Sequence, residues 1–557
     1  MSSIEILNPL KRLGQVLNLE KKEISSIYLF AIISGFLQLI IPVGIQAIIN
    51  FSMAGVITTS LILLITTVLV VIILIGWLQV GQMRIIEKIE QRIFTRYAFE
   101  FAWRIPKIDL KHVDDYYMPE VVNRFFDTIS FQKSFSKLLL DIPIAIMQVT
   151  FGIILLSFYS SIFVIFCLLI IAVIYLILRF TSRKGLETSM QESDYKYQLV
   201  AWLEEVARVF KSFHFAKNST LPVDKTDTIV THYLESRTAH FKILVAQYWS
   251  LIAFKFLITA STLVIGCLLF INNKINVGQF VAAEIVIISV MNAVEKLVQS
   301  LDKVYDLLTS IEKLGKIIDK PFEQTGTIDF IDNHAGMAIE IENLNYGYEP
   351  NKTLIENLNL NIQAGQKVCI TGKVGSGKST LLKLLTGCYH DFNGSIRLNK
   401  LPIGNYNLHS LRSEIGIMFN QTELFQGSLI ENITLGDKSI SINQILSLSE
   451  KIGLLDFISN SKEGLDTFIS SMGKKLPNGI AQKILLVRAL VGNPKLLLLE
   501  NPWNEMDEIS AQKVKHLLLS NQLPATCLVI TNDLSFEANC DLSINFDTQN
   551  IIVKNKI

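Results

Sequence analysis

The feature that most constrains this chain is an uncharged segment that runs from Ile24 to Met83. A helix needs about 20 apolar residues to cross the hydrocarbon core of a bilayer, so this segment is long enough for two crossings that reverse near residues 50–59. Two further apolar stretches, 142–178 and 245–298, divide in the same way at SFYSS and INNKINVG. The sequence therefore predicts six membrane-spanning helices, and the first is too long to be a cleaved signal peptide.

The distribution of lysine and arginine predicts how these helices are oriented. Basic residues are abundant in the N-terminal segment 1–23 and in the loops 84–137 and 179–242, whereas the short loops on the other side hold one lysine, Lys274. Cytoplasmic loops carry the excess of basic residues, so we expect both termini in the cytoplasm. The two long loops are helical in pattern, and their helices are expected to continue well beyond the lipid.

Ionisable residues also occur inside the predicted crossings. Lys255 lies in the fifth and Glu284 in the sixth. Charged groups at this depth usually face a cavity or each other, so we expect Glu284 to face a central cavity or to pair with Lys255. Alternatively, Lys255 lies near the interface and extends its ammonium group towards water.

Composition excludes several classes of protein. The chain has 557 residues, 50% of them hydrophobic, and a net charge of +1, which gives no basic face for nucleic acid. Its six cysteines are scattered without C-x-x-C spacing, and we interpret them as reduced core residues. No nucleic-acid partner is expected.

After residue 335 the pattern changes to short β-rich runs that alternate with helical ones, typical of a parallel α/β domain. The run VCIT at 368–371 predicts a buried strand and is followed by GKVGSGKST and then by a helical run. This is the phosphate-binding pattern G-x-x-x-x-G-K-[ST] in its strand, loop, helix setting. It predicts nucleotide binding by the loop residues Gly372, Lys373, Val374, Gly375, Ser376, Gly377, Lys378, Ser379 and Thr380.

Together with YGY at 346–348, LFQGSLIENITLG at 424–436 and AQKILLVRAL at 481–490, this order of motifs resembles the ATP-binding cassette (ABC) transporters, specifically exporter-type half-transporters. The resemblance implies a six-helix transmembrane domain at 24–315, a linker at 316–335 and a P-loop ATP-binding cassette domain at 336–557. It implies ATP and Mg²⁺ as ligands, with Tyr348 stacking on adenine and with Ser379 and Glu500 near the metal.

Several positions depart from the family's pattern. In LLLLENPWNEMD the Mg²⁺-associated acid becomes Glu500 and the catalytic glutamate becomes Asn501, an amide that cannot accept a proton. The histidine that contacts the γ-phosphate becomes Asn532, and the glutamine that senses Mg²⁺ becomes Asn420. The signature Leu-Ser-Gly-Gly-Gln is replaced by Leu476, Pro477, Asn478, Gly479 and Ile480. The final helices of the cassette are also expected to be shortened.

Two functions follow from this pattern. The first is an exporter subunit with weak or partner-dependent ATP hydrolysis; the second is an ATP-binding regulatory or structural membrane subunit that does not hydrolyse ATP. The resemblance implies a homodimer or a heterodimer with another half-transporter in the lipid bilayer, and it allows an adaptor protein as a further partner. We expect the plasma (inner) membrane as the location and no fused peptidase, and the cargo stays open.

Movement is expected to pass between the domains at the tips of the two cytoplasmic loops. By position, the first tip is near residues 112–124 and the second near 202–211. Either segment could instead be a plain amphipathic helix.

Overall fold

The computed structural model of the protein describes residues 9–53, 59–113, 117–159, 162–331, 336–349, 352–419, 423–547 and 551–555, without the side chains of 162–171, 173–183 and 551–555. The chain divides into two compact units. One comprises Met1–Ile108 and His112–Pro321, and the other comprises Asp109–Lys111 and Phe322–Ile557. Each unit is described separately below.

Apart from short connections, the described residues of the first unit are helical. Its helices are α1 Pro9–Leu19, α2 Lys21–Met53, α3 Thr59–Arg104, α4 Met118–Val122, α5 Asp127–Tyr159, α6 Ile162–Arg208, α7 Phe210–Phe215, α8 Leu221–Ile271 and α9 Val277–Ile318. Within the described residues, α2, α3, α5, α8 and α9 are long and apolar enough to cross a membrane. Helix α6 has 47 residues, but most side chains of its first half lie outside the described set.

These long helices extend beyond the thickness of a bilayer. Helix α8 has 51 residues, which at 1.5 Å per residue span about 75 Å, more than twice the hydrocarbon core. Small residues let neighbouring helices approach closely. A Cβ on Gly152 of α5 would lie 2.5 Å from Val290 of α9, and one on Gly185 of α6 would lie 2.5 Å from the ring of Tyr305.

The pairing of Lys255 with Glu284 was wrong, because Lys255 Nζ lies 2.6 Å from Glu295 Oε2. The reason is how far each residue lies, along its helix, from the turn that joins α8 to α9. Lys255 precedes the end of α8 at Ile271 by about 24 Å, whereas Glu284 follows the start of α9 by only about 10 Å and Glu295 follows it by about 27 Å. One carboxyl oxygen of Glu284 is buried and has no hydrogen-bond partner among the described residues. Its expected position at a central cavity stays a prediction.

The second unit is an α/β domain. A six-stranded sheet has the order β12-β11-β3-β10-β9-β6, and a four-stranded antiparallel sheet has the order β2-β1-β4-β5. The strands are β1 Ile339–Tyr346, β2 Ile355–Ile362, β3 Lys367–Gly372, β4 Asn393–Leu398, β5 Leu401–Pro402, β6 Ile415–Met418, β7 Gly427–Ser428, β8 Phe468–Ile469, β9 Leu496–Glu500, β10 Thr526–Ile530, β11 Leu542–Phe546 and β12 Ile551–Asn555.

Helices cover both faces of the larger sheet. They are α10 Lys378–Leu385, α11 Leu408–Arg412, α12 Leu429–Thr434, α13 Ile442–Ile452, α14 Leu455–Asn460, α15 Asn478–Leu490, α16 Glu508–Leu519 and α17 Leu534–Glu537. The leucines of β9 alternate between two cores, Leu496 and Leu498 in one and Leu497 and Leu499 in the other. A parallel sheet buried on both faces needs such a continuous apolar run.

The segment expected to be a linker, 316–335, is largely part of the folded elements. Helix α9 continues to Ile318, and the following chain bonds to the α/β unit. Arg412 donates to Glu323 at 2.6 Å, Gly326 N donates to the carbonyl of Tyr406 at 2.8 Å, and Phe330 is buried in the core. Residues 332–335 lie outside the described residues.

Candidate functional site

The phosphate loop connects the middle of the large sheet to a helix. Strand β3 pairs in parallel with β10 on one side and β11 on the other, and it ends at Gly372. Helix α10 begins at Lys378. The loop therefore lies at the carboxyl edge of a parallel sheet, where ligands of such folds bind.

Glycines give the loop a conformation that other residues would strain. Gly372, Gly375 and Gly377 have φ values of 134°, 84° and 96°, and a Cβ on Gly372 would lie 2.3 Å from the carbonyl oxygen of Phe546. Gly377 is the N-cap of α10, and no side chain caps the helix. The N–H groups of the first turn and the positive end of the helix dipole are thus available to an anion.

The side chain of Lys378 folds back over this loop. Its Nζ donates to the carbonyl of Gly372 at 2.8 Å, to the carbonyl of Lys373 at 2.5 Å and to Ser376 Oγ at 3.3 Å. Partial burial lowers the pKa of Lys378, and the Glu500 carboxylate opposes that shift. Phosphate oxygens are stronger acceptors for an ammonium group than neutral carbonyls, so the loop holds a cation where a phosphate can take over its contacts.

A cavity of about 280 Å³ brings most of the predicted residues together. It is lined by Leu354, Gly372, Val374, Gly375, Ser376, Gly377, Lys378, Ser379, Thr380, Glu500, Asn501, Ile530, Thr531 and Asn532. Tyr348, Lys373 and residues 476–480 are not among its lining residues, and Asn420 lies outside the described residues.

The cavity offers oxygen donors suited to magnesium. Ser379 Oγ donates to Glu500 Oε1 at 2.9 Å, so a hydroxyl and a carboxylate meet beside the phosphate loop. Hard oxygen ligands of this kind, completed by water and substrate phosphates, are what Mg²⁺ takes in nucleotide sites. These two residues therefore fit the ion that the fold implies.

Asn501 occupies an unusual backbone conformation directly after β9. Its φ is 46°, in the left-handed region that asparagine tolerates better than most residues. Its N–H donates to the carbonyl of Ile530 at 2.9 Å, and its carbonyl accepts from Gln482 Nε2 at 2.8 Å. The backbone of residue 501 is thus held from both sides, and its side chain lines the cavity.

The position of Asn532 is fixed by the contacts of the next residue, Asp533. Asp533 caps α17 by accepting from the N–H groups of Ser535 and Phe536, and Lys515 Nζ lies 2.5 Å from its carboxylate. Burial opposes ionisation of Asp533, but the bonds from Lys515 and Ser535 outweigh it and lower its pKa. The result is a fixed turn that places Asn532 at the cavity.

The segment 476–480, which was predicted to be the signature, leads into α15. Pro477 is the N-cap and supplies no side-chain cap, and a Cβ on Gly479 would lie 2.6 Å from the carbonyl of Glu505. Asn478 Nδ2 is 3.4 Å from Glu505 Oε2, a long hydrogen bond. Leu476 and Ile480 are partly buried and pack against the core. Within this segment, Gly479 is therefore the position where a side chain would clash with the backbone of Glu505 in the same cassette.

Tyr348 lies beside the phosphate loop with its ring about half exposed. Its hydroxyl is 3.2 Å from Thr380 Oγ1, and Tyr389 meets its ring edge-on at 5.7 Å. An exposed aromatic face next to a phosphate site is suited to stacking on a base, although Tyr348 does not itself line the cavity.

Sequence reasoning missed Gln482, which ties the signature helix to the turn after β9. Its amide donates to Asn501 and accepts from the N–H of Glu505 at 2.9 Å. It also missed Trp503, which is buried against Phe536 at 4.8 Å, and the lining residues Leu354, Ile530 and Thr531. The position of Thr531 immediately after a predicted strand was the available signal.

Comparison with known proteins agrees with this geometry. Residues 355–504 match the family model of the ABC transporters. The leukotoxin translocation ATP-binding protein LktB of a Pasteurella haemolytica-like species is 29% identical over 298 residues, which cover 52% of this chain and 41% of LktB. A probable ABC transporter ATP-binding/permease protein of Haemophilus influenzae is 27% identical over 51% of both chains.

A solved structure matches nearly the whole chain. A bacterial Atm1-family ABC exporter with ATP bound superposes with a TM-score of 0.85 and 18% identity, over 96% of this chain and 95% of the exporter. At this identity the match establishes the fold. In sequence, the chain spans about two fifths of LktB and half of the Haemophilus protein.

Proposed function

We propose that this chain is one subunit of an ABC exporter with weak or partner-dependent ATP hydrolysis, in which a helical membrane domain precedes the ATP-binding cassette in sequence. The proposal rests on one observation. The cavity has a complete phosphate cradle, but amides occupy the positions where a general base and a γ-phosphate contact are expected.

Nucleotide binding is supported by groups that the substitutions leave intact. The loop backbone, Lys378 and the free end of α10 bind phosphate oxygens, and Tyr348 stacks on the base. Ser379 and Glu500 would hold Mg²⁺, which neutralises charge on the phosphate oxygens when it is bound. None of these contacts requires a proton to move.

Hydrolysis requires a group that accepts a proton from the attacking water. Among the lining residues described, Lys378 and Glu500 are the titratable ones, and Glu500 is engaged by Ser379. Asn501 can orient a water molecule by a hydrogen bond but cannot take its proton. General-base catalysis contributes about 10²- to 10⁴-fold in rate, so we expect turnover slower by about that factor.

The second candidate is a membrane subunit that binds ATP and switches without appreciable hydrolysis. The presence of two amides, Asn501 and Asn532, at one cavity favours it. In either case we propose a dimer with a second half-transporter, identical or different, in which the signature segment of each subunit faces the phosphate loop of the other. We further propose cytoplasmic termini and insertion in the plasma (inner) membrane, with an adaptor protein as a further partner of an exporter.

A binding experiment tests the nucleotide site. A fluorescent ATP analogue is titrated into the purified full-length protein, its Lys378→Ala variant and a Lys383→Ala control on the same helix. We expect Lys378→Ala to weaken binding by about tenfold or more, since it removes charge-assisted bonds, and Lys383→Ala to leave it within twofold. Equal affinity of all three proteins would contradict nucleotide binding at this loop.

Phosphate release separates the two candidate functions. A slow rate that Lys378→Ala abolishes supports a weak ATPase, and the same rate in Lys378→Ala and wild type supports the subunit that binds without turnover. Glu500→Gln serves as a further variant, because it retains a hydrogen-bond acceptor but removes the carboxylate. A fast wild-type rate that Lys378→Ala abolishes would refute the assignment of slow hydrolysis to Asn501, and persistence of that rate in Glu500→Gln would exclude Glu500 as the base.

A further inference from the structure

The helical unit contains a second cavity, of about 370 Å³, between α5, α6, α8 and α9. All 15 of its described lining residues are polar or charged. An apolar ligand would leave these groups without partners, so the cavity is suited to water or to a polar ligand.

The charges around this cavity do not balance. Five of the lining side chains are cations and three are carboxylates. Each carboxylate has its own cation: Arg237 is 3.0 Å from Glu192, Lys303 is 2.7 Å from Asp306 and Lys196 is 3.7 Å from Asp127.

The two remaining cations are Lys133 and Lys137, which lie one turn apart on the same face of α5. Both are exposed, and neither makes an ion pair or a side-chain hydrogen bond with any residue that the structure describes. His240, the remaining basic side chain, is buried, with Nδ1 3.0 Å from Thr188 Oγ1 and Nε2 3.6 Å from Asp302. The excess positive charge therefore resides on the two lysines.

Hydroxyl groups line the buried part of the same cavity. Ser134, Ser193 and Ser310 are 3%, 7% and 4% exposed, and the Ser189 and Thr309 hydroxyls bond to each other at 3.1 Å. Ser193 Oγ is buried and has no hydrogen-bond partner among the described residues. A buried hydroxyl normally has a partner, so this one indicates a missing acceptor or donor in the cavity.

From these observations we propose that the cavity binds a phosphate group, with Lys133 and Lys137 pairing with its charge and Ser193 donating to one of its oxygens. Lysine and serine are among the side chains that commonly bind phosphate oxygens. A phosphate monoester or diphosphate has enough terminal oxygens to engage donors from several helices at once, whereas a carboxylate has two. All contributing residues lie in the helical unit, so the proposal does not depend on hydrolysis at the ATP site.

The position along the helices allows two sources of phosphate. Lys137 precedes the apolar run that begins at Ile142 by five residues, or about 8 Å. This is the depth of lipid headgroups, and basic pockets between membrane helices bind such headgroups. A soluble phosphate compound could enter from the predicted cytoplasmic side.

Pyrophosphate tests the soluble source. It is titrated by calorimetry into the full-length protein carrying Lys378→Ala, which weakens competing binding at the phosphate loop. Lys133→Gln/Lys137→Gln is compared with a charge-matched control, Lys88→Gln/Lys242→Gln, whose lysines are exposed and do not line the cavity. We expect the first pair to weaken binding by about tenfold or more and the control to change it by less than twofold.

Phosphatidic acid tests the lipid source. The same proteins are placed in nanodiscs of phosphatidylcholine with and without phosphatidic acid, and the thermal shift that this lipid produces is measured. A shift lost only in Lys133→Gln/Lys137→Gln supports the proposal with a lipid headgroup as ligand, even if pyrophosphate does not bind. We expect Lys133→Arg/Lys137→Arg, which keeps both charges, to retain pyrophosphate binding or the thermal shift by phosphatidic acid. We expect Ser193→Ala to weaken the same response. These two results would support the assigned contacts independently of folding defects.

Three outcomes would overturn the proposal. They are equal effects of the two glutamine pairs, absence of any response to both phosphate probes in the parent protein, and citrate binding as tight as pyrophosphate. The last would identify a general anion site instead of a phosphate site.

Discussion

Replacing Asn501 by glutamate is the most informative perturbation of the ATP site, because it supplies the missing carboxylate without changing the bonds of the backbone. The φ of 46° at this residue suits asparagine. A residue with a longer side chain costs about 1 kcal/mol more in this left-handed conformation. The bonds to Ile530 and Gln482 are backbone bonds of residue 501 and remain possible.

A general base acting alone would raise the rate by about 10²- to 10⁴-fold, or about 3 to 5 kcal/mol of activation free energy. We expect Asn501→Glu by itself to raise the rate of ATP hydrolysis by less than about tenfold. Asn532 and the Pro477–Asn478 signature still limit positioning, and the effects of groups that act together are not additive. Asn501→Glu combined with Asn532→His, Pro477→Ser and Asn478→Gly is expected to exceed wild type by about 10²-fold or more.

The assay is phosphate release by the full-length protein in nanodiscs, with each variant repeated in a Lys378→Ala background to subtract contaminating ATPases. Asn504→Glu is the matched control, since it makes the same chemical change on the exposed side of the same turn. A gain of 10²-fold from Asn501→Glu alone would refute the view that positioning is also limiting. Rapid wild-type turnover that depends on Lys378 would refute the assigned defect altogether.

Three further predictions concern stability and are checked by thermal unfolding of the full-length protein. Gln482→Leu should destabilise the cassette by about 1 to 3 kcal/mol, because it leaves Glu505 N without its partner and leaves Asn501 O with only the longer bond from Asn504 N, whereas Gln512→Leu on the surface should have little effect. Lys515→Met should be destabilising because it leaves the Asp533 carboxylate without its cation, whereas the control Lys513→Met should have little effect. An unchanged unfolding midpoint in Lys515→Met would contradict a role for this ion pair. Glu295→Gln should destabilise the helical unit more than the double variant Glu295→Gln/Lys255→Gln, since the single change leaves the Lys255 ammonium group without its carboxylate. If the effects of the two single variants simply add in the double variant, the ion pair is contradicted.

The order of elements in the cassette could be predicted from the sequence because its signals are local. The apolar run of β3, the glycines after it and the leucines of β9 each specify a buried strand or a turn without reference to distant residues. The role of Gln482 could not be predicted in this way. It depends on the signature helix and the turn after β9 meeting in space, and a glutamine on a helix gives no sign of that contact.

The charged pair in the helical unit fails for a different reason. Lys255 and Glu284 are both unusual in apolar helices, and pairing them by type ignored their distance from the turn that joins α8 and α9. Counting residues outward from that turn places Lys255 opposite Glu295, which the sequence also shows inside the sixth predicted crossing. This contact was therefore predictable from helix geometry, whereas the burial of one carboxyl oxygen of Glu284 depends on helix rotation, which the sequence does not specify.

The proposed function assigns nucleotide binding and hydrolysis to different groups of atoms at the phosphate loop. Backbone N–H groups, the helix dipole and Lys378 stabilise phosphate, and these depend on glycines whose φ values are retained. On the proposal, Asn501 and Asn532 lie where a titratable side chain would act on the reaction. The left-handed backbone at Asn501 would make a glutamate there costly, so the amide and the local conformation fit each other. On the proposed function, such a cassette would use the free energy of ATP binding to close a dimer but would lack the step that reopens it, and a partner subunit with an intact base would supply that step at its own phosphate loop.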